Sequence, residues 1–195
     1  IFFKTIEDVK KRKSNVTHDA SDFSDDIRRH VHTASLDVGY DFGTVALKSI
    51  TSLQKRNHNR LIVRRESESQ DTVSQELRLS FEPESGPVSG VAGVYAEHVD
   101  FKRQAFIVRA HGSDLNTKSY AVFGEATWKA NDRLSVTAGG RYAHDTADID
   151  FKSGTSVFRN VDRWGAFTPK TAVNWKWSDT LVQFASISRG YKAGG

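Results

Sequence analysis

Polar and apolar residues alternate with a period of two along much of this chain, which is typical of β-strands whose faces meet different surroundings. In one stretch Val122, Ala126 and Trp128 share a face, whereas Ala121 and Glu125 fall on the other. The clearest alternating stretches are ASLDVGYDF, SQELRLSF, SYAVFGEATWK and RLSVTAGGRY. Weaker alternation at residues 44–53, 88–97, 170–177 and 181–191 brings the prediction to about eight strands, with no long helix.

The segments between the predicted strands are short and long in turn. The short segments are rich in Gly, Asp, Asn, Ser and Pro, as tight turns are, and they lie at residues 41–43, 83–87, 130–133 and 178–180. The long segments are polar and lie at residues 4–32, 55–72, 101–117 and 147–163. We therefore expect an all-β fold, an antiparallel up-and-down meander with tight turns at one end and long loops at the other.

Strand length and aromatic placement favour a membrane-spanning barrel over a soluble sandwich. Several predicted strands approach the roughly 9–11 residues that cross a membrane. The aromatic residues near the tight turns are Phe42, Phe81, Trp128, Trp175 and Trp177, and the tyrosines toward the long loops are Tyr95, Tyr120, Tyr142 and Tyr191. Such sorting predicts two aromatic belts at the membrane interfaces of a large barrel, whereas a sandwich core gives no reason for it.

Composition narrows the class further. The 195 residues carry a net charge of +4 and include no Cys, which excludes disulfides and thiolate chemistry. No apolar run approaches the roughly 18 residues of a membrane helix, and the mean hydropathy is −0.53. Alternating barrel strands are compatible with both observations. The mild positive charge permits an anionic partner such as lipopolysaccharide, but basic and aromatic residues do not gather on one face, so nucleic acid is not an expected partner.

Four stretches taken together carry a family resemblance. They are DTVSQELRLS, YAVFGEATWKANDRLSVTAGGRYAHD, FTPKTAVNWKWSD and LVQFASISRGYKAGG. In this order and spacing they resemble successive barrel segments of TonB-dependent outer-membrane receptors. The resemblance covers about residues 36–195 and implies a slice of a 22-stranded barrel. Such receptors are plugged by an amino-terminal domain and use TonB to import ferric siderophores, haem, cobalamin or glycans. We expect residues 1–195 to form a partial barrel domain, with residues 1–32 mostly extracellular loop and the plug domain absent.

Charged residues on the face opposite the apolar positions would face the barrel lumen. They are Glu76, Arg78, Glu125, Arg141 and Lys170. These residues could contact the plug or a passing ligand. A hydrated barrel lumen with ion-paired side chains explains the same charges. If the turn at residues 130–133 is tight, Glu125 and Arg141 approach one another diagonally across the hairpin, and we expect them to pair.

The densest basic stretch, KRNHNRLIVRR, lies in the second long segment. Its candidate ligand-capturing residues are Arg56, His58, Arg60, Arg64 and Arg65. Outward positive charge would attract an anionic ferric chelate or the phosphates of lipopolysaccharide, whereas a solvated loop explains it equally. His30 and His32 form an H-x-H pair without a third ligand at suitable spacing, so no metal site is expected.

The sequence therefore predicts a segment of an outer-membrane receptor for TonB-coupled uptake of a ferric siderophore or a similar large, scarce nutrient. Its partners would be that ligand, the TonB complex through the plug domain, and outer-membrane lipid with lipopolysaccharide. No hydrolase or metalloprotease motif is present, so neither an enzyme nor a cofactor is expected. The alternatives are a passive porin-like channel, a small barrel complete in itself, and a soluble β-sandwich binding module.

Overall fold

The computed structural model describes residues 26–61, 65–106 and 110–194, and these form one antiparallel sheet in which each strand pairs with its neighbours in sequence. Its eight strands are β1 (Asp26–Asp41), β2 (Val45–Leu61), β3 (Arg65–Phe81), β4 (Val88–Phe106), β5 (Ala110–Lys129), β6 (Leu134–Ser153), β7 (Ser156–Lys176) and β8 (Val182–Ser188). The predicted all-β meander is confirmed.

Two alternative architectures are wrong for this part of the chain. A β-sandwich requires two packed sheets, and the described residues form a single sheet. Within residues 26–194 no described ladder joins β1 to β8, so the sheet is open and is not an eight-stranded barrel complete in itself. A helix long and apolar enough to cross a membrane does not occur among the described residues.

The tight turns lie where the sequence placed them, at residues 42–44, 82–87, 130–133 and 177–181. In the first turn Gly43 adopts a φ of 94°, and its amide donates to Asp41 Oδ1 at 2.7 Å. In the third turn Asn131 Oδ1 accepts hydrogen bonds of 2.9 Å from the amides of Arg133 and Leu134. Side-chain acceptors of this kind satisfy backbone donors that the ladder leaves free, which fixes the register of each hairpin.

The long loops predicted at the opposite end are wrong. Residues 55–61 and 65–72 belong to β2 and β3, and residues 101–106 and 110–117 belong to β4 and β5. The segment at 147–163 is a hairpin in which Gly154, at a φ of 59°, and Thr155 alone connect β6 to β7. The first predicted loop, at residues 4–32, overlaps β1 from Asp26 onward, and its residues 4–25 lie outside the described residues.

These strands are longer than a membrane crossing requires, and this length explains the error. A 20-residue strand such as β5 extends about 66 Å, at about 3.3 Å per residue, whereas roughly 9–11 residues span a bilayer. One face carries continuous rows of exposed apolar side chains along the half near the tight turns. Farther along the same face exposed apolar residues are fewer, and they include Leu61, Phe106, Val157 and Val161. Residues paired across neighbouring strands form a row, and the clearest apolar row is Leu77, Val94, Val122, Tyr142 and Phe167.

We call the face that carries this row the outer face, its apolar half the apolar band, and the opposite face the inner face. The apolar side chains of the band are exposed, Val122 by 55% and Phe167 by 56%. Above the band, away from the tight turns, the outer face is polar on β4 to β6, with Asp100, Asn116 and Asp148 in one row. The inner face of these halves mixes polar and apolar residues, so the contrast between the two faces is weaker there and the segments resembled loops in the sequence.

The inner face holds the most buried described side chains, which are Ala121, Ala143, Asp145, Ala147 and Ala172. Of the tyrosines predicted to form a belt, Tyr120 and Tyr142 lie on the outer face, as that prediction requires. It is wrong for Tyr95, which lies on the inner face and donates to Glu97 at 2.8 Å. Tyr191 follows the last strand, and its hydroxyl is buried.

Candidate functional site

The predicted lumen-facing residues meet on the inner face, level with the apolar band. Glu76, Arg78, Glu125, Arg141 and Lys170 all line one hollow of about 500 Å³. Alternation places them there, because each lies in its strand next to a residue of the outer apolar band. We call this surface the inner wall.

A glycine lets two charges of the inner wall meet across an intervening strand. Glu125 on β5 and Lys170 on β7 both pair in register with Gly139 on β6. Lys170 Nζ lies 2.7 Å from Glu125 Oε2. A Cβ at Gly139 would lie 2.6 Å from the Gly124 carbonyl oxygen and 2.9 Å from Glu125 Cβ, closer than real contacts allow. Because Gly139 has no side chain, the side chains of Glu125 and Lys170 can meet above it.

Arg141 contacts aromatic rings. Its guanidinium carbon lies 5.2 Å from the centroid of Tyr95 and 5.9 Å from that of Phe123, within the range of a cation–π contact. The Phe123 ring lies over Gly93, where an added Cβ would be 2.5 Å from Phe123 Cζ. Glu125 and Arg141 share the inner face as diagonal neighbours, as expected, but the Glu125 carboxylate pairs with Lys170. The predicted Glu125–Arg141 ion pair is therefore wrong in its partner.

The remaining charges of the inner wall are also compensated nearby. Arg78 Nε donates to Glu76, two residues earlier on the same strand. Beyond the hollow, Lys48 on β2 pairs with Asp37 on β1 at 2.7 Å. Close opposite charges on a half-exposed surface produce a polar, hydrated wall without strong net charge.

The predicted basic loop is instead the upper part of β2 and the start of β3. Arg56, His58 and Arg60 lie on the inner face of β2, whereas Arg65 lies on the outer face of β3. Arg64 lies outside the described residues. Three of the five predicted residues therefore share one surface, above the inner wall.

Carboxylates from β3 neutralise part of this basic surface. His58 Nδ1 lies 3.6 Å from Glu68 Oε2, and Arg103 on β4 lies 3.8 Å from Glu68. Arg103 Nε also donates to Glu66 at 2.5 Å. We call these four residues the upper charged network. Unscreened charge is thus the wrong description of His58 and Arg60, which pair in register with Glu68 and Glu66, whereas Arg56 lies between Val31 and Gln70.

The other half of the upper inner face, on β4 to β7, carries a group of apolar side chains among polar ones. The residues are Phe101, Leu115, Ile149, Phe151 and Phe158, which we call the upper apolar patch. Phe101, Leu115 and Ile149 lie in one row, and Phe151 pairs with Phe158. The His111 ring stacks on Phe151 with centroids 6.4 Å apart. Phe158 is 60% exposed, so the patch offers aromatic surface to a ligand.

Sequence reasoning missed this apolar patch and Arg103, because it assigned their segments to loops. A signal for the patch was present, because Ile149 and Phe151 on β6 and Val99 and Phe101 on β4 keep apolar residues at a period of two beyond the band. No cluster of three or more His, Asp or Glu residues arranged to hold a metal ion occurs in the described ranges. His30 and His32 lie on the outer face of β1.

An outer apolar band, a polar inner wall and strands that outrun the membrane define a sector of a large membrane-spanning β-barrel. A family model described as TonB dependent receptor-like, beta-barrel, matches residues 6–195. The chain belongs to this family of receptor barrels.

Solved receptors share the fold at low identity. The ferric yersiniabactin uptake receptor FyuA from Yersinia pestis matches 78% of this chain with a TM-score of 0.72 and 16% identity. The alcaligin outer-membrane receptor FauA from Bordetella pertussis matches 84% with a TM-score of 0.65 and 15% identity. The ferric citrate transporter FecA matches 82% with a TM-score of 0.61 and 12% identity. The matches span 27%, 29% and 27% of those chains, respectively.

Proposed function

We propose that this chain is a sector of an outer-membrane receptor that imports a ferric siderophore or a similar ferric chelate with energy supplied through TonB. The observation that supports this most directly is the continuity of the inner face. Its upper part combines a charged network with an aromatic patch, and its lower part is a compensated polar wall around a hollow of about 500 Å³.

In this proposal the upper inner face captures the ligand. Ferric chelates are large and often carry aromatic or anionic groups, which the upper apolar patch and the nearby Arg56 and Arg60 are suited to contact. The five residues of the inner wall then contact the plug domain or the passing ligand. Four of the five charges are paired within the sheet, and Arg141 lies over aromatic rings, so most contacts can be exchanged without leaving a bare charge.

The other partners follow from the same proposal. TonB would act through a plug domain that occupies the lumen of the complete barrel. The outer apolar band would contact outer-membrane lipid, and the polar outer face above it would contact lipopolysaccharide. We infer transport rather than enzymatic activity, because the inner face presents a binding surface and a wall.

Iron uptake tests the proposal. Cells that express the complete receptor are supplied with radioactive iron as ferric yersiniabactin, ferric alcaligin or ferric citrate, together with hydroxamate and catecholate chelates, with and without TonB. We expect uptake of at least one chelate that requires both the receptor and TonB. Uptake that persists without TonB would instead indicate the passive channel, and no receptor-dependent uptake would contradict the proposal.

Replacement of the upper aromatic pair locates the capture surface. Phe151→Ala with Phe158→Ala should weaken equilibrium binding of the transported chelate by about tenfold, as loss of an aromatic anchor does. The matched control is Val157→Ala with Val161→Ala, which removes exposed apolar side chains from the outer face of β7. Binding is measured by tryptophan fluorescence quenching on purified receptor. Equal affinities for the two double variants would place capture elsewhere.

A further inference from the structure

A row that contains three basic residues crosses the outer face one row beyond Tyr120, on one half of the sheet only. On β4 to β7 the row consists of His98, Lys118, Thr146 and Arg163, all on the outer face. The same row continues on β1 to β3 as Ala34, Leu53 and Val73, which are apolar. The polar boundary on the β1 to β3 half comes one row later, and there Lys55 lies 3.7 Å from Asp71.

Lys118 and Arg163 differ from Lys55 in having no such partner. Both are exposed, and within the described ranges no carboxylate lies within ion-pair distance of either side chain. They lie on either side of Thr146, with their Cα atoms about 10 Å apart across two strand spacings. Long basic side chains at this separation can converge on one tetrahedral anion above the threonine, whose hydroxyl supplies a third donor.

An apolar hollow lies next to this row on the side of the band. It has a volume of about 480 Å³. Its outer-face lining is Leu77, Val94, Ala96, Tyr120, Val122, Tyr142, Gln75 and His144. On β5 Tyr120 lies on the same face as Lys118, two residues later in the sequence and one row closer to the tight turn. The hollow therefore begins next to Lys118. A basic row that continues into an apolar hollow matches a ligand with an anionic head and a hydrocarbon tail.

Acidic residues near the row reduce its attraction for an anionic head group. Asp100 and Asp148 lie one row farther from the band. Asp100 is engaged by Asn116 Nδ2 at 2.6 Å and lies 3.2 Å from His98 Nε2. Asp148 is a diagonal neighbour of both Lys118 and Arg163 and reduces their attraction for an anion.

We propose that this outer surface binds a phosphorylated lipid of the outer leaflet, with a phosphate held by Lys118, Thr146 and Arg163 and an acyl chain in the hollow beside Tyr120 and Tyr142. The inference depends on the proposed membrane location but not on the transported ligand. The phosphate lies where headgroups lie, at the end of the apolar band, and each cation near such a surface contributes about 1 kcal/mol. The charges therefore select the phosphate, and the hollow selects the acyl chain.

Titration of the purified complete receptor with bisphosphorylated lipid A tests the inference. Binding is followed by native mass spectrometry in neutral detergent with EDTA and without any iron chelate, so that failure of the transport proposal does not affect the result. Lys118→Gln with Arg163→Gln should weaken binding about 30-fold, the loss expected for two cations. The control, Lys102→Gln with Lys152→Gln, removes the same charge from the outer face farther from the band and should change affinity less than twofold.

Two further measurements sharpen the test. Asp148→Asn should strengthen binding several-fold, because it removes the carboxylate nearest to both cations. Inorganic phosphate at millimolar concentration should not displace the lipid. Equal affinities for the two double variants would overturn the proposal. Efficient displacement by inorganic phosphate would also overturn it, since the surface would then be a site for a free anion.

Discussion

The two halves of the long strands differ in the residues that they carry on the outer face, which are apolar near the tight turns and more polar beyond the band. In β5 the half near the tight turn carries Val122 and Trp128 on the outer face and Glu125 on the inner face. In the half beyond the band the outer face carries Asn116 and Lys118. Both halves are continuous strand with the same antiparallel pairing. Alternation thus reports a contrast between the two sides of a sheet. It weakens in the upper half, where the outer face turns polar, although the ladder hydrogen bonds continue.

A positive charge introduced on the outer face should produce the largest difference in unfolding free energy between the two strand halves. Val122→Arg places a cation in the apolar band and should cost about 2–4 kcal/mol if the band faces lipid. Gln104→Arg introduces an arginine on the exposed outer face of upper β4, outside the band, and should lower the unfolding free energy by less than about 0.5 kcal/mol. Urea unfolding of the receptor barrel in phospholipid vesicles measures both. Similar costs for the two variants would mean that the band does not lie in the membrane.

Glycines provide the next comparison. Gly139→Ala puts a Cβ against the Gly124 carbonyl and Glu125, and overpacking of this kind should cost roughly 1–3 kcal/mol. Gly112→Ala, in the upper half of β5, meets only the Arg103 carbonyl oxygen at 3.9 Å, an ordinary contact. It should be neutral or slightly stabilising, because alanine restricts the unfolded chain. The same unfolding assay compares the two, and an equal loss would show that Gly139 is not required for the close approach.

The Lys170–Glu125 ion pair should give the smallest effect on stability. Its side chains are 48% and 35% exposed, so a double-mutant cycle with Lys170→Gln and Glu125→Gln should give a coupling of about 0.2–1 kcal/mol. If the inner wall contacts the plug or ligand, both single variants should also lower iron uptake while chelate binding is unchanged. Unchanged uptake with the expected coupling would leave the pair a structural one.

In the strand halves near the tight turns, the turns and the face on which each residue lies could largely be predicted from the sequence. Gly43 and Asn131 mark two of the tight turns in the sequence, and the contrast between an apolar outer face and a polar inner face produces the alternation that placed Glu76 and Arg141 on one face. The upper half could not be read in this way. Nor could the choice of partner for Glu125. It depends on the missing side chain of Gly139, which lies between Glu125 and Lys170, and not on proximity along the hairpin.

The order of the strands has a consequence for assembly. Every described ladder joins strands adjacent in sequence, from β1 to β8. Each hairpin therefore closes a short stretch of chain, and the entropy lost in closing it is small compared with that of pairing distant segments. The sheet can grow at its edge one hairpin at a time, each new strand templated by the one before. Only the final seam of a complete barrel, where the first and last strands meet, requires a long-range encounter, and that step should limit the rate of folding.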